Sequence, residues 1–102
     1  MKQYQGLRTH SDRNSVLVNG QELKHYARHS PDGFEWGYGG SGPSELARCI
    51  LIDYFDDIPK ADKHYQQFKF DIIAVIKEDS WVITSEDIEK WLAKNDENLK
   101  VS

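Results

Sequence analysis

The apolar residues change their spacing once, between Gly33 and Leu51, and that switch limits the folds open to the chain. In "GFEWGYGGSGPSELARCIL", Phe34, Trp36 and Tyr38 alternate with Glu35 and Gly37. That period of two predicts a strand with three aromatics on one face. Beyond the glycines, Leu46, Ala47, Ile50, Leu51, Tyr54 and Phe55 recur at helical spacing and predict an amphipathic helix. Pro43 suits the first turn of that helix, Glu45 meets the positive end of its dipole, and Asp56, Asp57 and Pro59 stop it.

The flanks extend the pattern. "KQYQGLR" reads as a short strand with Tyr4 facing inward, and "SVLVNGQELKHYA" as a hairpin closing at Asn19-Gly20, a pair that favours a type I′ turn. Ser30-Pro31-Asp32-Gly33 reads as a further turn. Residues 61–78 fit a helix through Tyr65, Phe68, Ile72, Val75 and Ile76, or a strand through Phe68, Phe70, Ile72, Ala74 and Ile76. Their length and the polar "DKHYQQ" favour one long helix. "SWVIT" is extended, and Thr84 or Ser85 caps a last helix whose Ile88, Trp91 and Leu92 form its apolar face. Trp91 is expected to pack against the first helix, and the tail from Asn95 to fray. The sum is an α+β fold. A small antiparallel sheet from the N-terminal half is packed by two or three helices from the C-terminal half, in one domain over residues 1–102.

Composition narrows the function classes. No apolar run approaches the roughly 20 residues that cross a bilayer, and "MKQYQGLRTH" has no signal-peptide stretch, so a cytoplasmic protein without a membrane partner is expected. A single cysteine excludes an internal disulfide and a cysteine-rich zinc site. The net charge of -4 is uneven: residues 1–30 carry five Lys/Arg against two acids, and the remainder eight against fifteen. Duplex nucleic acid is repelled by most of such a surface. A small anion met by the N-terminal third, or a basic host protein met by the acidic remainder, is easier electrostatically. A solvated acidic face accounts for the same charge.

"GYGGSG", Gly37 to Gly42, has the letters of the dinucleotide fingerprint without its parallel βαβ setting, and no Gly-Lys-Ser/Thr follows for a P-loop. The underlying chemistry remains available, because a glycine-rich turn entering a helix aims N–H groups and the helix dipole at one point. Candidate ligand-binding residues are therefore Gly39, Gly40, Ser41 and Ser44 at the turn, Trp36 and Tyr38 as stacking rings, and Arg8 and Arg28 as cations. The alternative is a purely structural corner in which Gly37, Gly39 and Gly40 allow a bulge or let another backbone approach closely, with Gly39 or Gly40 at positive φ or beneath that backbone. Phe34 reads as core; Trp36 and Tyr38 fit core or site. An open pocket at the corner is the mark of a ligand site; a flat acidic or aromatic patch beside a closed corner is the mark of a protein inhibitor.

Other chemistry is poorly represented. His25 and His29 stand four apart in an extended context without a third ligand, so neither metal nor cofactor is expected. Cys49 reads as a buried thiol, and Ser41 and Ser44 have no local base. Catalysis is disfavoured. The elements "Y.G.R" (Tyr4 to Arg8), Asn19-Gly20 and "SPDGFEWGYGGSGPSELA" (Ser30 to Ala47) resemble those of a family of short uncharacterised proteins from bacterial genomes and mobile elements. That resemblance carries no activity. It implies a bacterial or phage accessory protein, such as an anti-defence inhibitor. The leading expectation is non-enzymatic binding of a phosphate-bearing ligand or nucleotide at the corner, and the second is protein–protein inhibition through the acidic surface.

Overall fold

The computed structural model describes residues 2–9, 14–28 and 33–101, with side chains to position 95. His29 and most of the turn expected at Ser30–Gly33 lie outside the described residues. Strands β1 (Gln3–Leu7), β2 (Ser15–Val18) and β3 (Gln21–Glu22) precede helices α1 (Ser41–Phe55) and α2 (Ile58–Phe68). A π-helical turn (Lys69–Ile73), strand β4 (Ser80–Thr84) and helix α3 (Ser85–Val101) complete the chain. The four strands form one antiparallel sheet in the order β3-β2-β1-β4, so the fold is α+β. "SWVIT" is therefore an edge strand, laid beside the first strand of the chain.

The Asn19-Gly20 hairpin forms as the sequence predicts, with φ of 50° and 85° at its two turn residues. Tyr4, Gly6, Val16, Trp81 and Ile83 occupy the inner face of the sheet, as the alternation along each strand requires. Gly6 is there for space: a Cβ on it would fall 2.2 Å from the Trp81 indole, which crosses β1 at that point. Trp36 meets Trp81 edge-on, at 5.5 Å and 85°.

Helix α1 is buried from Gly42 to Ile52 and is the central element of the core. It ends where expected: Asp56 turns left-handed (φ 52°) and donates to the Ile52 carbonyl, and the Asp57 carboxylate caps α2 by accepting from Lys60 N–H. The single long helix expected over 61–78 is shorter and changes pitch. α2 runs into the π turn, where Ala74 N–H reaches the Lys69 carbonyl, and helical structure ends at Ile73. The extra residue in that turn brings Phe68, Lys69 and Ile73 all to the buried side.

Thr84 and Asp87 form a reciprocal cap at the start of α3, each side chain accepting from the other's N–H. Ile88 and Trp91 are buried and Leu92 is partly so. The Trp91 ring packs on Phe68 of α2 (5.0 Å) and its Nε1 donates to Asp71 of the π turn (2.8 Å), in the same core cluster as the buried residues of α1. The edge position of β4 sets α3 beside α2 and the π turn. Among the described residues no helix is long and apolar enough to cross a membrane, and no group of three His, Cys, Asp or Glu side chains is placed to hold a metal ion.

Candidate functional site

Residues 34–38 are not the aromatic strand that their alternation predicts. Residues 33–36 run outside the sheet, and the chain bends through 37–40 before α1 begins. Gly37 makes that bend. Its φ is 90°, its N–H donates to the Ile73 carbonyl (3.1 Å), and a Cβ on it would fall 2.8 Å from the Ile76 carbonyl. The position that requires glycine is thus Gly37 rather than Gly39 or Gly40, and Gly40 has an ordinary extended backbone (φ −97°, ψ −166°).

The structure divides the eight candidate residues. Trp36 is 1% exposed, its Nε1 donates to the Glu78 carbonyl (2.9 Å), and the Arg8 guanidinium covers its ring at 4.7 Å. It is a core residue. Ser44 is buried, with its N–H and hydroxyl both donating to the Gly40 carbonyl at 3.1 Å. Arg28 pairs with Asp62 (3.1 Å), on the flank where α1 meets α2. Arg8 does stand at the corner, since its partner Glu35 packs on Gly42, but its charge is matched by Glu35 and Asp79. Tyr38, Gly39, Gly40 and Ser41 remain at the surface or partly so. Tyr38 is 52% exposed and its ring lies over Gly40.

Three residues outside those eight complete the picture. Glu45 is wholly buried, where its carboxylate accepts from Arg28 N–H (2.9 and 3.1 Å) and meets His25 Nε2 at 2.7 Å. It ties the segment after β3 to α1 instead of facing the helix end. Lys69 is only 6% exposed, and among the described residues its ammonium has no hydrogen bond or ion pair. It lies over the Phe70 ring at 4.2 Å. Phe70 is 56% exposed and reaches to within 3.8 Å of where a Gly39 Cβ would sit. The π turn therefore brings a second open ring to the corner, with the Lys69 ammonium against its face. The signal for Lys69 was its place in the apolar row of "QFKFDII", where a lysine is out of pattern.

The corner also keeps donors. The Ser41 and Gly42 N–H groups, at the start of α1, have no acceptor among the described residues, and Gly40 makes no side-chain cap. Around this point the other ionisable groups are held in structural roles. Arg48 donates to Asp62 at 2.7 Å and holds that carboxyl below its ordinary range. Burial pushes the Cys49 thiol up to about 11, which keeps it protonated and inert at neutral pH. Tyr4, raised by burial, donates to Asp53 at 2.7 Å.

The chain belongs to DUF6166. The model of this family of unknown function matches residues 4–94, which take in the sheet, the corner and most of α3. No curated protein and no solved structure matches the chain. A groove of about 800 Å³ in this family member lies away from the corner, between the π turn and α3. It is floored by Phe68, Ile72, Ile83 and Trp91 and edged by Asp71, Asp87, Lys90 and Lys94.

Proposed function

We propose that this DUF6166 protein binds a small phosphate-bearing ligand at the first turn of α1, without chemistry. The observation that carries the reading is Lys69. Among the described residues its ammonium has no carboxylate partner; it lies against the Phe70 ring, which reaches the Gly39 backbone next to a helix start whose first N–H groups are unmatched there. A phosphate group set there takes hydrogen bonds from Ser41 and Gly42 N–H and charge from Lys69. Tyr38 and Phe70, both half exposed, flank the Gly39-Gly40 backbone and offer ring faces to the rest of the ligand. Nucleotides fit that description, a phosphate with a planar body. The site is smaller than the one the sequence suggested, because Trp36, Ser44 and Arg28 have protein partners.

The test is a titration with inorganic phosphate, mononucleotides and cyclic mononucleotides, read by amide shifts of Gly39–Glu45 and by Tyr38 ring resonances. Shifts confined to the corner, lost in Lys69→Met, are expected. Flat responses at millimolar ligand overturn the reading, as does a Lys69→Met variant that binds as the wild type does. A second reading then leads, supported by the groove beside α3: inhibition of a protein partner, the role expected of a bacterial or mobile-element anti-defence protein. The apolar floor of the groove, edged by two carboxylates and two ammonium groups, suits a partly apolar segment that carries both charges.

A further inference from the structure

The register of β1 against β4 fixes which way each residue of the edge strand faces. Arg8 N–H donates to the Asp79 carbonyl and Ser85 N–H to the Lys2 carbonyl, in step with the pairs Gly6–Trp81 and Tyr4–Ile83. Asp79, Trp81, Ile83 and Ser85 thus turn their backbone groups toward β1, while Ser80, Val82 and Thr84 turn theirs outward. Thr84 N–H is closed by the Asp87 carboxylate. The N–H and C=O groups of Ser80 and Val82 have no partner among the described residues. Ser80–Thr84 contains no proline and no charged side chain, and the Asp87 carboxylate closes only its C-terminal end.

We infer that β4 pairs with β4 of a second copy of this chain, antiparallel and about a two-fold axis at Trp81. That register sets Ser80 opposite Val82 in both directions and matches every free group on each edge, giving four hydrogen bonds. Glu78 and Asp79, the first charges before the strand, fall opposite Thr84 and Ile83 of the second copy, so Glu78 comes beside the Asp87 carboxylate that closes Thr84 N–H, which confines the ladder to Ser80–Val82 and weakens it. On the outer face Val82 (51% exposed) comes beside Ser80 of the second copy, which its own Leu7 (55% exposed) adjoins. The result is one eight-stranded sheet with the two cores on the same side. A ladder this short predicts weak association, with Kd on the order of 0.1 mM.

Sedimentation and amide hydrogen exchange test the pairing together, over concentrations from about 10 μM to 1 mM. The expected result is reversible dimerisation with exchange at Ser80 and Val82 slowing about fourfold at the high end. Val82→Pro removes an outward donor and leaves the β1 ladder intact, so it is expected to be a folded monomer throughout. Should that variant fail to fold, Val82→Lys tests the same edge, since an edge lysine opposes strand addition. A wild type that stays monomeric at 1 mM overturns the inference. So does a dimer whose Ser80 and Val82 amides exchange at the same rate at both concentrations.

Discussion

The Asn19-Gly20 turn and the Gly37–Gly42 corner are both glycine turns, and they need glycine for different reasons. At Gly20 φ is 85° and nothing lies within 4 Å of an added Cβ, so the backbone angle alone selects the residue. At the corner only Gly37 has that angle, and the neighbouring space is filled. A Cβ would fall 2.8 Å from the Ile76 carbonyl at Gly37, 2.4 Å from the Tyr38 ring at Gly40 and 2.7 Å from Glu35 Cβ at Gly42. The hairpin is a local decision made by two residues. The corner is a tertiary one, made largely by the π turn and the segment before the bend.

The largest test of that contrast is Glu45→Ala. Glu45 lies one turn beyond the corner and is the buried acceptor that joins the His25–Arg28 segment to α1. Removing it leaves the Arg28 N–H and the His25 ring without their buried acceptor, at about 1–3 kcal/mol each. Urea denaturation should show that loss, or no cooperative transition at all; a loss under about 1 kcal/mol would mean that the corner does not depend on distant contacts. Gly37→Ala comes next. Left-handed strain adds to the displacement of a carbonyl, which together cost about 2–3 kcal/mol. Backbone shifts should reach Ile73 and Ile76, some 40 residues away in sequence and directly above Gly37 in space.

This difference also explains what the sequence disclosed. The hairpin, the start and stop of α1, the cap at Thr84 and the strand at Ser80–Thr84 were legible, because each rests on neighbouring residues. The alternation of Phe34, Trp36 and Tyr38 misled, because a segment crossing the core beside a sheet buries alternate residues without pairing as a strand. Phe34 and Trp36 are buried and Tyr38 is not, which is the pattern of a chain that bends at Gly37. The candidate site was half legible. Its position at the start of α1 followed from Gly39 to Ser41, but its cation came from Lys69, which no local rule assigns there. The π turn was hidden for the same reason: residues 65–77 fit two periods, and a helix with one residue inserted satisfies neither throughout.

A smaller effect is expected with pH. Arg48 holds Asp62 ionised in the folded protein more firmly than in the unfolded chain. Its contribution is complete above the unfolded carboxylate range, about pH 4, and is lost as pH falls through the lower folded value. Asp62→Asn should flatten the acid side of the stability profile, read as melting temperature between about pH 2 and 5. An unchanged profile would remove the Arg48–Asp62 pair from the ties that hold α1 and α2 together beneath the corner.

The finest test sets Gly20→Ala against Gly40→Ala. At Gly20 the added methyl meets no atom, yet positive φ costs an alanine about 1 kcal/mol. At Gly40 the methyl meets the Tyr38 ring, but the backbone angles suit alanine, and the ring is half exposed and free to turn aside. Replacing glycine also removes freedom from the unfolded chain, which offsets a few tenths of the cost. Gly40→Ala is therefore expected to change stability by less than about 0.5 kcal/mol while moving the Tyr38 ring off Gly40. Denaturation reads the first effect and Tyr38 ring shifts the second. A loss at Gly40 equal to or greater than that at Gly20 would mean that the Tyr38 ring is fixed. The corner would then be a packed element rather than an open one, and the phosphate reading would lose its aromatic face.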